Sequence, residues 1–308
     1  QMCIRDRIAS STKMMAATVV QQLADEGKLR FSDPIANHLP ESEASTLNVI
    51  NGQDLTGHVT VRDIVAHTSG IADYYQSKRL PKTGDLETIS RDDPGWSFEE
   101  ALDLARELPS RFPPHSGKAH YSSTNYQLVG RVIEQVSGFS LGNELQRRIF
   151  DPIGMNQSCL LTTNNLDEFD NASQVQVSKQ KYLGAKRIAS LGAEGAVISS
   201  LEDTAKFMQS FFAGDLLSPT SRENLLGNGL PVFPRVSYAS GVMSLDLPRV
   251  ITKAFHAQGL LGHSGATGHL MFYDPIEKLT IVATINQLSP STIPYRLLAA
   301  VLRILNSR

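Results

Sequence analysis

The order of hydrophobic patterns along the chain is the feature that most constrains the fold. Over most of the first two thirds, apolar residues recur at helical spacing, as at Ala16, Val20 and Leu23. The last third contains alternating or β-branched runs such as "HLMFYD" and "LTIVATIN", before a final helix over about 292–306. Helices followed by an antiparallel meander and a closing helix predict an α+β fold.

The composition argues against several classes of protein. The 308 residues carry a net charge of −2 with no basic stripe, so we expect no nucleic-acid partner. No apolar run approaches the roughly 18 residues of a membrane span, so we predict no transmembrane segment. Cys3 and Cys159 do not have a metal-binding spacing, and the eight histidines form no HExxH pattern. We therefore expect no metal and no organic cofactor.

The first residues have an unusual character. "QMCIRDR" lacks an initiator methionine, a signal-peptide pattern and any secondary-structure period. We interpret it as the end of a fragment, and the sequence predicts no cellular compartment.

The pattern S-x-x-K occurs twice, at Ser10 and Lys13 and again at Ser178 and Lys181. The first copy opens a helix, where residues three apart share a face, so the lysine can reach the serine hydroxyl. The second follows the strand-like "SQVQV", where such residues point to opposite faces. Ser10 is also in a typical helix N-cap position, and we expect it to be both cap and nucleophile, with a desolvated Lys13 to activate it.

Two further segments carry candidate site residues. In "HYSSTNYQLVG", Tyr121 could move protons if nearby cations lowered its pKa from about 10; alternatively Tyr121 is core and Ser123 or Thr124 caps the next helix. In "GLLGHSGATGHLMFYDP", the glycines indicate a backbone that something approaches closely. There His263 and Ser264 offer hydrogen-bond donors and the N–H after Gly265, that of Ala266, could face a carbonyl oxygen. The alternative is a glycine-rich turn.

A "KTG" at Lys82–Gly84 is a rival for this last motif. It precedes Tyr121 in the chain, which is the wrong order, so we reject it.

In this order, "RIASSTK", "VRDIVAHTSGI", "FPPHSGKAHYSSTNYQLVG", "IFDPIGM", "GAEGAVISSLEDTAKF" and "GHSGATGHLMFYDP" span nearly the whole chain. With them the chain resembles the serine β-lactamase and penicillin-binding-protein superfamily. More narrowly, it resembles the branch of class C β-lactamases, D-alanyl-D-alanine carboxypeptidases and β-lactamase-like esterases.

The resemblance implies a role for each motif residue. Ser10 would attack a carbonyl and form an acyl-enzyme, while Lys13 and Tyr121 handle the protons. The N–H groups of Ser10 and Ala266 would form the oxyanion hole. Substrate would also meet residues of the second and third motifs, namely Ser123, His263, Ser264 and Gly265. The His67 and Ser69 segment is structural in this family.

The resemblance also implies one catalytic domain over 1–308, with two lobes and the site in the cleft between them. A nucleophile helix (10–30) would be followed by a mainly helical lobe (31–189), and then by an antiparallel sheet lobe with a C-terminal helix (190–308). Family members carry a helix and two strands ahead of the nucleophile motif. We therefore expect an N-terminally truncated chain, with an unpaired strand edge at "LTIVATIN" and lower stability than a longer parent.

Two departures from the family pattern shape the expected function. Ser123 stands where asparagine is usual, and His263 and Ser264 replace lysine and threonine. A neutral histidine offers less charge to a β-lactam carboxylate, since its ordinary pKa is about 6.5. We therefore expect a serine hydrolase acting on a small ester, amide or D-aminoacyl peptide.

Three alternatives stay open: a silent relative that binds acyl or peptidoglycan-like ligands, a β-lactamase, and an unrelated protein with coincidental motifs. A distance between Ser10 and Tyr121 above about 10 Å would favour the last.

Overall fold

The computed structural model describes residues 4–80, 94–177, 180–182, 184–246, 259–288 and 292–306. In this part of the chain the α-helices are α1 (Thr12–Asp25), α2 (Val61–Val65), α3 (Phe98–Arg106), α4 (Ser123–Ser137), α5 (Leu141–Leu145), α6 (Asp167–Asp170), α7 (Ala185–Ala189), α8 (Leu201–Ala213), α9 (Pro219–Leu226) and α10 (Ile293–Asn306). The strands are β1 (Arg5–Arg7), β2 (Val49–Ile50), β3 (Gln53–Asp54), β4 (Cys159–Leu160), β5 (Gln176–Val177), β6 (Gln180–Lys181), β7 (Val197–Ser200), β8 (Leu230–Phe233), β9 (Val236–Tyr238), β10 (Met243–Leu245), β11 (Leu260–Ser264), β12 (Leu270–Asp274) and β13 (Leu279–Ala283).

Helix α1 is the central element of the fold. Residues 11–21 are all buried, so the helix is enclosed on every side, as its mostly small or apolar composition allows. It packs against α4, α5 and α9, and its N-terminus meets β11. The helix ends before Gly27, whose φ of +71° is a conformation that suits glycine. The position of α1 places the first S-x-x-K copy where the helices and the main sheet meet.

Several helices begin and end at local sequence signals. At α3 the Ser97 hydroxyl accepts from the Glu100 N–H at 3.1 Å, and the Glu100 carboxylate accepts from the Ser97 N–H at 2.7 Å. This reciprocal pair is a capping box. Helix α4 ends at Gly138, which is left-handed with φ +76°. These boundaries are therefore set by interactions within a few residues.

The main sheet has six antiparallel strands in the order β13-β12-β11-β10-β9-β8. Helices α8 and α10 contribute apolar side chains to the core beside it, including Leu298 and Leu302, each 2% exposed. Val301, on the same helix, is 38% exposed. In the described part of the chain β13 is an edge strand whose five residues are all half-buried. The α+β class predicted from the sequence is confirmed.

A second sheet contains a strand that the sequence analysis missed. Arg5–Arg7, in the segment interpreted as lacking any period, pairs antiparallel with β7, Arg5 opposite Ser200 and Arg7 opposite Ile198. On the other side β7 pairs with β4. A strand of three residues is too short to show a period, and its pairing comes from a segment almost 200 residues away. It leads directly into the turn that carries Ser10.

The lobe boundaries at 30/31 and 189/190 stay a prediction. Lys82–Gly84 and Ser178, the two rejected motif copies, lie outside the described residues.

Candidate active site

Ser10 lies in a single 3-10 turn, Ala9–Ser11, directly before α1. The N-cap position of α1 belongs to Ser11, which makes no side-chain capping bond, so the expected capping role of Ser10 is wrong. The hydroxyl of Ser10 instead accepts a hydrogen bond from Lys13 Nζ at 3.1 Å. Ala9 has φ +47°, an uncommon conformation for a residue with a side chain. Such strained turns cluster at functional sites.

Lys13 is completely buried. Besides Ser10, its ammonium contacts the main-chain oxygen of Glu194 at 2.7 Å. Burial lowers the pKa of Lys13 to about 8, because desolvation disfavours the charged form, while Glu194 and Asp73 oppose this shift. At pH 7 roughly a tenth of Lys13 is then neutral, and this fraction, far larger than for an exposed lysine, can accept a proton.

Tyr121 lies against both residues of the motif. Its ring centre is 5.1 Å from Lys13 Nζ, and its hydroxyl is close enough to the Ser10 side chain for the two to interact. Ser10 and Tyr121 therefore lie close together, which argues against the alternative of an unrelated protein with coincidental motifs. Burial raises the pKa of Tyr121 well above its usual value of 10, and the interaction with Ser10 only partly offsets this. The condition for Tyr121 to act as a base, a pKa lowered by nearby cations, is therefore not met, and the phenol is neutral.

The His-Thr-Ser-Gly segment supports Tyr121 from behind. The buried ring of His67 lies 4.4 Å from the ring of Tyr121, centre to centre. Its Nδ1 is 3.3 Å from the N–H of Ser122 and 3.2 Å from the side-chain amide of Asn125. The Ser69 hydroxyl donates to Asn125 at 2.7 Å. These contacts connect the segment to α4 and fit the structural role implied by the resemblance.

The third motif forms the wall of the site opposite Tyr121. A Cβ on Gly265 would lie 2.2 Å from the main-chain oxygen of Ile8, so only glycine permits this approach. What approaches the glycine is thus the protein's own backbone before Ser10. The Gly265 N–H donates to the His269 oxygen at 2.7 Å, which holds the turn containing Ala266.

A cavity of about 210 Å³ lies at this junction. Of the predicted residues, it is lined by Ser10, Tyr121, Ser264, Gly265 and Ala266. The other lining residues are mainly apolar, namely Phe233, Met243, Gly268, Leu270, Pro294 and Tyr295. A pocket with an apolar wall beside a serine hydroxyl suits a small acyl group.

Ser264 and Tyr295 form a polar point on this wall. Their hydroxyl oxygens are 2.6 Å apart, which joins the end of β11 to the first turn of α10. The C-terminal helix is therefore part of the site.

His263 lies behind the cavity wall and does not line it. It is fully buried, with Nδ1 2.8 Å from the Ser264 oxygen and Nε2 3.3 Å from the Tyr238 hydroxyl. Burial, and next the charge of Lys13, lower the pKa of His263 to about 3. The ring is neutral at physiological pH and packed in the wall.

Ser123 also lies away from the cavity, at the first position of α4. It is 8% exposed, and its N–H donates to Asp73 Oδ1 at 3.2 Å. Its hydroxyl interacts with the carboxylate of Glu194. The structure therefore brings this motif residue to a pair of acidic side chains.

Glu194 is a site residue that the sequence analysis missed. It lies in the 3-10 turn Gly192–Glu194 before β7 and is 2% exposed. Its Oε1 accepts from the Tyr74 hydroxyl and, at 3.2 Å, from Gln127 Nε2. Burial raises the pKa of Glu194 to about 7, and Lys13 acts in the opposite direction. A charged residue within the small, apolar run "GAEGAV" was the available signal.

Two features are absent from the described residues, a metal-binding cluster and a membrane-spanning helix. They contain no group of three or more histidine, cysteine or acidic side chains placed to hold a metal ion. None of their helices combines the length and hydrophobicity needed to cross a bilayer.

Comparison with known proteins gives a consistent result. The family model described as Beta-lactamase matches residues 5–303. A putative penicillin-binding protein, PbpX of Bacillus subtilis, is 26% identical over 72% of this chain and 50% of its own length. A putative D-alanyl-D-alanine carboxypeptidase of Escherichia coli K12 is 23% identical over 91% of this chain and 68% of its own length. The chain thus spans about half of PbpX.

Solved structures share the fold. The D-amino acid amidase of Ochrobactrum anthropi SV3 superposes with a TM-score of 0.78 at 22% identity, covering 99% of this chain and 87% of its own. The hydrolase EstCE1 superposes with a TM-score of 0.73 at 18% identity, covering 97% and 84%.

Proposed function

Since this chain belongs to the beta-lactamase family, we propose that it is a serine hydrolase that cleaves a small ester or amide through an acyl-enzyme on Ser10. The observation that carries the proposal is the Ser10 hydroxyl, which lies 3.1 Å from the buried Lys13 Nζ and interacts with Tyr121 at one cavity. Nucleophile, base and proton donor are in mutual reach, as covalent catalysis requires.

The environment of each group determines which proton transfer it carries out. Neutral Lys13 accepts the proton of Ser10 as the serine oxygen bonds to the carbonyl carbon. The N–H groups of Ser10 and Ala266 stabilise the oxyanion. Tyr121, a neutral phenol, protonates the leaving group and regains a proton from Lys13. Water then attacks the acyl carbon, transfers a proton through the same groups and releases the acid with Ser10 restored.

The substrate class follows from the shape and charge of the cavity. A volume of about 210 Å³ with an apolar wall fits a short acyl chain or one amino-acid side chain. The neutral His263, packed behind the wall, provides no charge for a β-lactam carboxylate. The names amidase, carboxypeptidase and hydrolase among the similar proteins are consistent with an ester or D-aminoacyl substrate.

The test is intact-mass spectrometry of the folded protein after brief exposure to p-nitrophenyl acetate. We expect one acetyl adduct, mapped to the Ser10 peptide, and none on Ser10→Ala, which should lose at least about 10³-fold in turnover. Ser11→Ala is a matched control, because the Ser11 hydroxyl faces His269 Nδ1 at 2.9 Å, and it should still be acylated. No adduct and no p-nitrophenol from folded wild-type protein would show that the proposal is wrong and would favour a silent relative.

A further inference from the structure

We propose that Glu194 is a positioning residue that controls the charge of Lys13 and so sets the pH range in which Ser10 is activated. The inference rests on the proposed function, because it concerns the same acyl transfer. No motif assigned Glu194 a role, and it reaches the site from the turn before β7.

The first support is a hydrogen bond between Lys13 and Glu194. Lys13 Nζ donates to the main-chain oxygen of Glu194 at 2.7 Å, so the ammonium is fixed next to the residue that carries the negative charge. Both side chains are excluded from water, at 0% and 2% exposure. Charges that are not screened by solvent interact more strongly than charges at a surface.

The second support is incomplete pairing of the carboxylate. Oε1 accepts from two neutral donors, Tyr74 and Gln127, while Oε2 is buried and has no hydrogen-bond partner among the residues that the structure describes. A buried carboxylate with an unsatisfied oxygen is costly unless a cation compensates its charge. Lys13 is the cation among the groups that act on it.

The third support is the set of titratable groups that face Glu194. Helix α1 contributes Lys13, the segment before α3 contributes Asp73, Tyr74 and Tyr75, and the segment before α4 contributes Tyr121. Together with Glu194 itself, the set holds one cation, two carboxylates and three neutral phenols. Asp73 raises the pKa of Glu194 and Lys13 lowers it, so the three groups titrate as a coupled unit.

The fourth support is the departure at Ser123. A serine is shorter than the asparagine usual at this position, and its side chain lowers the pKa of Glu194. The motif residue therefore acts on the neighbour of Lys13 and does not line the cavity.

The sign of the effect follows from the charges. An ionised Glu194 stabilises protonated Lys13 and raises its pKa, so neutral Lys13 forms only at higher pH. Removing this charge lowers the pKa of Lys13, and a neighbouring charge moves a pKa by about 1 to 3. The acid limb of kcat/KM for p-nitrophenyl acetate should then move to lower pH in Glu194→Gln by about one pH unit or more.

The experiment measures this limb between pH 5 and 9 in wild type and in Glu194→Gln, which retains an acceptor for Tyr74. Glu194→Asp keeps the charge and should stay close to wild type. Tyr74→Phe removes a donor that lowers the pKa of Glu194, so it should move the limb in the same direction as Glu194→Gln but less. Glu144→Gln changes a buried glutamate outside the site and should leave the limb in place. A Glu194→Gln profile that superimposes on wild type would overturn the inference.

A second readout does not depend on turnover. The pKa of Lys13 can be followed by NMR of ¹³Cε-labelled lysines, with Lys13→Met to assign the signal. We expect a fall of about one pH unit in Glu194→Gln, and an unchanged titration would also overturn the inference. Failure of wild type to form an acetyl adduct would instead refute the proposed function, while the NMR titration would still decide the role of Glu194.

Discussion

Glu144 and Glu194 are both buried glutamates, but the protein compensates their charges differently. Glu144 is fully buried, and its two oxygens accept from Arg147 Nε at 2.7 Å and from Arg148 Nε at 2.5 Å. Within the described part of the chain, Glu194 has two neutral donors on one oxygen and no hydrogen-bond partner on the other. One carboxylate is held by two guanidinium groups, while the other depends on the ammonium bound at its own main chain.

The difference separates a structural acid from one suited to function. Arg148 also donates to Glu26, so Glu144 belongs to an ion-pair network that joins α5 to the end of α1. The pKa of Glu194 is raised to about 7 by burial. A group that titrates near neutral pH can change charge under the conditions in which an enzyme works.

The largest expected difference is in stability. Glu144→Gln removes one partner of a buried ion pair and should lower the free energy of unfolding by about 3–5 kcal/mol. Glu194→Gln keeps an acceptor for Tyr74 and removes an incompletely paired charge, so it should cost less than about 1.5 kcal/mol. Urea titrations at pH 7.5 give both values. Equal losses in the two variants would mean that Glu194 is as structural as Glu144.

A second expected effect concerns acid. Burial lowers the pKa of His263 and His269 to about 3, and that of His67 well below 6.5. Below pH 6.5 the unfolded chain binds protons that these folded histidines do not, so the free energy of unfolding falls as pH falls. Glu194 acts in the opposite direction between about pH 7 and 4.5, because its folded pKa is raised. The three histidines together change the free energy of unfolding more than Glu194 does.

We therefore expect a loss of about 2 kcal/mol between pH 7 and 5.5, from roughly 1.4 kcal/mol per pH unit and group. Urea midpoints at the two pH values measure it. His269→Gln should reduce the difference, whereas His115→Gln, at an exposed position, should not. A protein equally stable at both pH values would contradict this account of the buried groups.

The smallest expected effect is the loss of stability when Arg147, one of the two arginines that pair with Glu144, is removed. Arg147 has a side chain 42% exposed, and Arg148 still pairs with the carboxylate without it, so Arg147→Ala should cost less than about 1 kcal/mol. Arg148→Ala removes a side chain only 7% exposed that contacts two carboxylates, and should cost several times more. A larger loss of unfolding free energy in Arg147→Ala than in Arg148→Ala, measured by urea titration, would show that the exposed arginine stabilises Glu144 more than the buried one.

Local patterns in the sequence predicted α1, from its helical periodicity, and β12 and β13, from their alternation. The capping box at Ser97 and the glycine after α4 are local in the same sense, because each depends on residues only a few positions apart. Strand β1 was missed because its partner is β7, and no pattern within three residues reports such a pairing.

The candidate site likewise contains residues that lie where the sequence analysis expected them and one that does not. The motif residues Ser10, Tyr121, Ser264, Gly265 and Ala266 line one cavity. Their placement in one site was expected from the resemblance to the family. His263 was expected at the substrate, but it lies in the wall, because the alternation of β11 directs its side chain into packed core beside Tyr238.

The sequence by itself determined the chemistry available: a serine and a lysine on one helical face, a tyrosine before a helix, and a glycine-rich turn. These features depend on covalent structure and on spacings of a few residues. The tertiary structure decided which of them meet and in what charge state. Lys13 bonds to Glu194 across 181 positions of sequence, and burial sets the pKa of both. Desolvation depends on the atoms that surround a group, and packing of distant segments alone determines those atoms.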